Sequence, residues 1–168
     1  LVDRLKMLPS KPSSISVRGG EPTRHPELGE ILSFCAAIAP TFLETHGRWL
    51  LDSDNEQLLD LLRSHAVTVK VSFDSMHGTS SDELRLMFDA IKSHGIRLLV
   101  AITESDQNAF DQTRRLCAFI SEENVIYQTK AKSSDELIRP RIGVIDVGGR
   151  LSLSLTHKVG EFKRSLTA

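Results

Sequence analysis

The chain has 168 residues and a formal net charge of -1, with 40% hydrophobic and 26% charged residues. That length can bury one core without disulfides or metals, so a single compact domain is the default expectation. No apolar run reaches the roughly 18 residues of a membrane span, and the basic residues form no stripe for a polyanion. Neither a membrane nor nucleic acid is therefore expected as a partner.

The chain opens at Leu1, and residues 1–8 have the pattern of the last turns of an amphipathic helix, so a preceding segment is expected. Residues 14–17 form the first short apolar, β-rich run and lead into Arg18-Gly19-Gly20-Glu21-Pro22. Residues 27–39 read as a helix with Leu28, Ile31, Leu32, Cys35 and Ile38 on one face, stopped by Pro40. A second strand, 41–44, is followed by Thr45-His46-Gly47. Helix 54–64 then opens on Asp54 as N-cap, and strand 67–73 ends at Asp74. Helix 81–94 stops at Gly95, strand 96–102 leads to Thr103-Glu104, helix 107–120 follows, and strand 124–128 leads toward Lys130 and Lys132. His65 and His94 fall at helix C-termini, where the helix dipole favours a cation.

Strand starts recur roughly 26 to 29 residues apart, the length of a βα unit. Continuous apolar strands alternating with helices predict an α/β fold with a parallel sheet, either open or closed toward a barrel. The even spacing favours a partial (β/α) barrel over residues 1–139. Residues 140–168 are expected to be an antiparallel appendix: a β-hairpin over 142–155 about Gly148-Gly149, then a polar tail. Cys35 and Cys117, each in an apolar helical stretch and without a C-x-x-C pattern, read as core thiols and point to a reducing, cytoplasmic compartment.

In parallel α/β folds ligands sit at the carboxyl ends of the strands. Arg18 to His25, Thr45 to Arg48, Asp74 to Gly78 and Thr103 to Asp106 all fall there, whereas the opposite turns are plainer. Gly19-Gly20 permits positive φ and a close approach of bare backbone to a ligand, and equally a tight strand-to-helix turn. Asp74 and Glu104 form a candidate acid and base, or else cap the following helices. His25, His46 and His77 share the rim without ligand spacing, so no metal ligand is expected in the chain. Trp49 and Met76 read as packing residues.

The segment Val17-Arg18-Gly19-Gly20-Glu21-Pro22-Thr23-Arg24-His25-Pro26-Glu27-Leu28 resembles the second strand and loop of radical S-adenosylmethionine enzymes, with their GGEP motif. Leu43-Glu44-Thr45-His46-Gly47 is similar to the end of that family's third strand, and Val69-Lys70-Val71-Ser72-Phe73-Asp74-Ser75 to its fourth. The resemblance implies strands two to six of a partial barrel. It implies S-adenosylmethionine as cofactor, its amino group received by Gly19, Gly20, Glu21 and Pro22. Ser72 and Asp74 would serve its carboxylate or ribose, and Thr103, with Ala101 and Ile102, its adenine. His46 stands where the family commonly has asparagine, and the resemblance counts it among the cofactor-binding residues, to hydrogen-bond a carboxylate or ligate another group.

The C-x-x-x-C-x-x-C loop that binds the family's 4Fe-4S cluster does not occur in the chain, so its ligands are expected upstream of Leu1. The implied parent enzyme cleaves S-adenosylmethionine reductively to a 5'-deoxyadenosyl radical, with an electron donor and a small-molecule or peptide substrate as partners. Two other readings remain. One is a non-catalytic binding descendant of the fold; the other is a conventional barrel lyase or isomerase using Asp74 and Glu104.

Overall fold

The computed structural model describes residues 12–74, 78–104, 107–129, 142–145 and 151–154. Strands β1 (Ile15–Val17), β2 (Thr41–Thr45), β3 (Thr68–Ser72), β4 (Leu98–Glu104) and β5 (Val125–Thr129) alternate with helices α1 (Leu28–Ala36), α2 (Glu56–Ser64), α3 (Ser81–Ser93) and α4 (Gln107–Leu116). All five strands are parallel, in the order β5-β4-β3-β2-β1. The sheet is open, because β5 pairs only with β4. The backbone of Ile142–Ile145 runs parallel beside β1, with Leu151–Ser154 antiparallel to it. The expected turn at Gly148-Gly149 lies outside the described residues, as do Ser75, Met76, His77, Lys130 and Lys132.

Each strand lies beside its neighbour in sequence, so the right-handed crossovers all place their helices on the same face. Side chains alternate along a strand. One set, Val17, Leu43, Val69, Val71, Val100 and Ile102, joins Leu32, Leu59, Leu62, Leu84, Met87 and Ile91 of the helices in one core. The other set, including Ser16, Glu44, Lys70 and Ser72, faces away from the helices. Polar residues in the middle of strands thus avoid the core, and a chemically distinct surface forms at no cost to packing.

Element boundaries depart from the sequence expectation where side chains compete for backbone groups. Helix α1 ends at Ala36, three residues early, in a turn leading to Pro40, which has no N–H and restricts the residue before it. Helix α2 starts at Glu56 rather than Asp54. Its N-cap is Asn55, whose Nδ2 donates to Leu50 O at 3.0 Å, so it makes no side-chain cap. Helix α3 has a full capping box: Ser80 Oγ accepts from Glu83 N at 3.1 Å and Glu83 Oε2 from Ser80 N at 2.8 Å. Helix α4 stops at Leu116 instead of Ile120, because the Arg114 guanidinium donates to Cys117 O (2.8 Å) and Ile120 O (2.9 Å) and folds the chain into a turn. His65 and His94 are the C-cap residues of α2 and α3. Among the described residues no helix is long and apolar enough to cross a membrane.

Cys35 and Cys117 are free thiols, each 0% exposed. Burial pushes the Cys35 thiol up from 9.0 to about 11 and raises Cys117 as well. The unfolded chain releases these protons at lower pH than the folded one. This contribution to stability is therefore whole below pH 9 and declines as pH rises toward 11. Urea midpoints should fall across that window in the wild type and less so in Cys35→Ala, compared with each protein's own value at pH 7. At pH 8 both thiols should resist iodoacetamide until the chain is unfolded.

Candidate functional site

The backbone of β1 leaves the sheet at Arg18 and turns through Gly19 (φ 117°) and Gly20 (φ 48°). Both angles are positive, and the first is sterically open only to glycine. A Cβ built on Gly20 meets no atom within 4 Å, so the backbone at Gly20 faces open space rather than the core. Pro22 is buried and starts a 3-10 turn (Pro22–Arg24) with Glu21 as its N-cap. Loop geometry at this sheet end is set by one side chain.

That side chain is Glu21, 8% exposed. Its Oε1 accepts from Thr45 Oγ1 at 2.7 Å, Thr23 Oγ1 at 2.8 Å and Thr23 N at 3.2 Å. Its Oε2 accepts from His46 N at 3.1 Å, and His46 Nε2 lies 3.0 Å from the same oxygen. The proton directions form one consistent set. Thr45 Oγ1 accepts Gly47 N at 3.0 Å, which leaves its own proton for Glu21. His46 Nδ1 accepts Arg48 N at 3.0 Å, so the proton of the neutral ring sits on Nε2 and points to Glu21. The carboxylate thus ties the β1 loop to the β2 loop through charge-assisted bonds, and it positions Gly19-Gly20 instead of projecting into free space. Both ring nitrogens of His46 are engaged in the same clasp.

The remaining sequence candidates divide. Ser72, at the end of β3, is half-buried on the face away from the helices, and its hydroxyl has no partner among the described residues. Thr103 lies on the same face of β4. Asp74 follows β3 and is 9% exposed, and Ala101 and Ile102 are buried in β4. Glu104 is 2% exposed and accepts Thr113 Oγ1 at 2.7 Å, a bond that holds α4 against the end of β4 and accounts for this acid structurally. His25 Nδ1 accepts Glu27 N at 3.1 Å, in the loop before α1. Trp49 is 8% exposed and packs in the core cluster, as a packing residue should. It also lines a cavity of about 400 Å³ with Leu28, Asp52, Asn55 and Leu58, between α1 and α2 on the helical side of the sheet. Among the described residues no group of three or more metal-ligating side chains occurs.

A second cluster, formed by residues without a role in the sequence reading, crosses the non-helical face. Ser16 Oγ donates to Glu44 Oε1 at 2.5 Å and Lys70 Nζ to the same oxygen at 3.2 Å, while Arg18 Nη1 lies 3.8 Å from Glu44 Oε2. Their signal was present in the sequence: Ser16 and Lys70 sit alone between apolar neighbours, in Ile15-Ser16-Val17 and Val69-Lys70-Val71, and Glu44 follows the apolar pair Phe42-Leu43. An interrupted apolar run in a parallel strand marks a face that is not packed under helices.

Two substitutions separate the roles of the two loops. Gly20→Ala should cost about 1 to 2 kcal/mol, the backbone penalty alone. Gly47→Ala should cost more, about 2 to 4 kcal/mol, because a Cβ there meets Met87 Sδ at 2.9 Å and Val71 Cγ2 at 3.1 Å on top of a φ of 82°. Glu21→Gln should destabilise by about 2 kcal/mol, since its amide nitrogen would face donors on whichever side it lay. Urea unfolding at pH 7 measures all three; a Glu21→Gln midpoint equal to wild type would contradict the clasp. No protein-family model matches the chain, and no curated protein matches it.

Proposed function

We propose that the chain is the cofactor-holding core of a radical S-adenosylmethionine enzyme. In this reading β1 to β5 are strands two to six of a partial (β/α) barrel, and residues 142–155 form a hairpin at its open edge. The observation that supports it is the Gly19-Gly20 backbone, at positive φ, with open space where a Cβ on Gly20 would lie and with Glu21 anchored behind it. A strand-to-helix turn serving only to reverse the chain needs no such anchor. The position at the carboxyl end of a parallel strand adds to this, as it is where α/β folds bind ligands.

The residues fit the methionine end of the cofactor. Backbone carbonyls at Gly19 and Gly20 are suited to receive an ammonium group, with no Cβ in the way. Glu21 would act by fixing that backbone, and by lending negative potential to an ammonium from behind it. Ser72, whose hydroxyl has no partner among the described residues, would meet the carboxylate or ribose, Asp74 the ribose, and Thr103 the adenine side. S-adenosylmethionine held by these residues would supply a 5'-deoxyadenosyl group for radical chemistry at a 4Fe-4S cluster bound elsewhere. The chain's own cysteines do not suit such a cluster: both are 0% exposed, within the packing of the helical layer. The cluster ligands belong to this reading only as an upstream C-x-x-x-C-x-x-C loop.

Titration calorimetry of the chain with S-adenosylmethionine tests the reading. Saturable binding is expected, and Gly20→Ala should weaken it roughly tenfold or more while the circular dichroism spectrum stays that of the wild type. No heat of binding to the wild type, or equal binding by Gly20→Ala, would overturn it. In a longer protein, three upstream cysteines spaced C-x-x-x-C-x-x-C are expected, and their absence would count equally against it.

A further inference from the structure

Two cations share a single carboxylate on the sheet face turned away from the helices. Lys70 Nζ is 3.2 Å from Glu44 Oε1 and Arg18 Nη1 is 3.8 Å from Glu44 Oε2, and neither has another acidic partner among the described residues. The group as a whole carries one net positive charge. The Lys70 side chain is 12% exposed, yet among the described residues only one of its three N–H donors has an acceptor, and burial makes an unfilled ammonium costly. Arg18 is 53% exposed, and at 3.8 Å its ion pair is too long for a hydrogen bond, so its fork of donors remains available.

The geometry around Glu44 is also prearranged. Ser16 Oγ donates to the same oxygen as Lys70, which fixes the carboxylate and leaves the ammonium's remaining donors directed elsewhere. Glu44 and Lys70 are register partners on adjacent strands, so the ammonium is held by the sheet itself. Two residues further along β3, Ser72 offers a hydroxyl without a partner, and Arg18 runs directly into Gly19-Gly20. A surface salt bridge formed only for stability would balance its charges; this one leaves a cation in excess beside a free donor.

We propose that Arg18 and Lys70, braced by Glu44 and Ser16, receive the carboxylate or phosphate of a second ligand, an anionic substrate that lies on the non-helical face beside Gly19-Gly20. This deepens the proposed function, on which it rests for the identity of the first ligand. The anion supplies the missing acceptors of both cations and brings the cluster to neutrality, while Glu44 keeps the two cations apart and oriented. The recognised substrate class is a small molecule with an acidic group, not a cationic or wholly apolar one.

The test is an NMR titration of the ¹⁵N-labelled chain with inorganic phosphate and, separately, acetate, each against sodium chloride at equal ionic strength. At least one anion should give saturable shifts at the amides of residues 16–18, 44 and 70, absent with chloride. Arg18→Gln, at an exposed position where folding is not at risk, and Lys70→Gln should each weaken the response at least fivefold. Phosphate responding without acetate identifies a phosphoryl substrate, and the reverse a carboxylate. Shifts that match chloride, or that survive both substitutions, would overturn the proposal. Repeating the titration with S-adenosylmethionine present separates the two ligands. A retained response supports a second site, whereas a lost one means that the cofactor's own carboxylate occupies the cluster and overturns the proposal. An anion response without S-adenosylmethionine binding would support the anion site and remove only the cofactor reading.

Discussion

The Glu21 carboxylate accepts four hydrogen bonds from Thr23, Thr45 and the His46 amide and lies 3.0 Å from His46 Nε2, and through these contacts the loops after β1 and β2 become one unit. Loops at the ends of parallel strands otherwise have few contacts with one another, since each packs on its own strand and helix. Here the cross-link is nearly buried, and every participant is directional. Thr45 and His46 are themselves held by Gly47 N and Arg48 N, so the clasp extends into the 3-10 turn (Arg48–Leu51) that seats Trp49 and Leu50 in the core. The positive-φ turn at Gly19 and Gly20 keeps one course because the residue that follows them is fixed. A preorganised backbone of this kind gives a ligand its donors and acceptors without an ordering cost at the moment of binding.

The single sense of winding accounts for the chemistry on either side of the sheet. Helices on one face cover Val17, Leu43, Val69, Val71, Val100 and Ile102, and the opposite positions carry Ser16, Glu44, Lys70 and Ser72 beside apolar residues such as Phe42 and Leu99. A doubly wound sheet would have buried those groups under a second helical layer, where a lysine and a glutamate are costly even when paired. Function and topology are therefore linked here through burial. The polar face exists because consecutive strands are neighbours, and it meets the Gly19-Gly20 loop because β1, β2 and β3 end together.

Much of the fold was legible from periodicity alone. All four helices and five strands have their counterpart in the apolar pattern, because helical faces such as Leu84, Met87 and Ile91 repeat at a period that only burial on one side explains. Boundaries shifted where a polar side chain chose a backbone partner, as Asn55 did with Leu50 and Arg114 with Cys117 and Ile120. The positive-φ turn was legible in Gly19-Gly20, a pattern that ligand loops and plain strand-to-helix turns share. Its anchoring was not. Glu21 meets Thr45 and His46, 24 and 25 residues away, and no local pattern records which donors will converge on a carboxylate. For the same reason Glu104 could be read as a rim acid until Thr113 appeared beside it. Ser16, Glu44 and Lys70 were visible as interruptions of apolar strands, but their mutual contact depends on strand register, which is a property of the folded sheet.

The central claim is that a ligand meets the chain at the Gly19-Gly20 backbone while the clasp behind it stays unchanged. Chemical-shift mapping with S-adenosylmethionine addresses both halves at once. The account predicts that the largest shifts fall on the amides of Gly19, Gly20 and Ser72, and that the His46 amide, bonded to Glu21, scarcely moves. Shifts centred on Trp49, Asp52 and Asn55 around the cavity between α1 and α2, with Gly19 and Gly20 unperturbed, would contradict it.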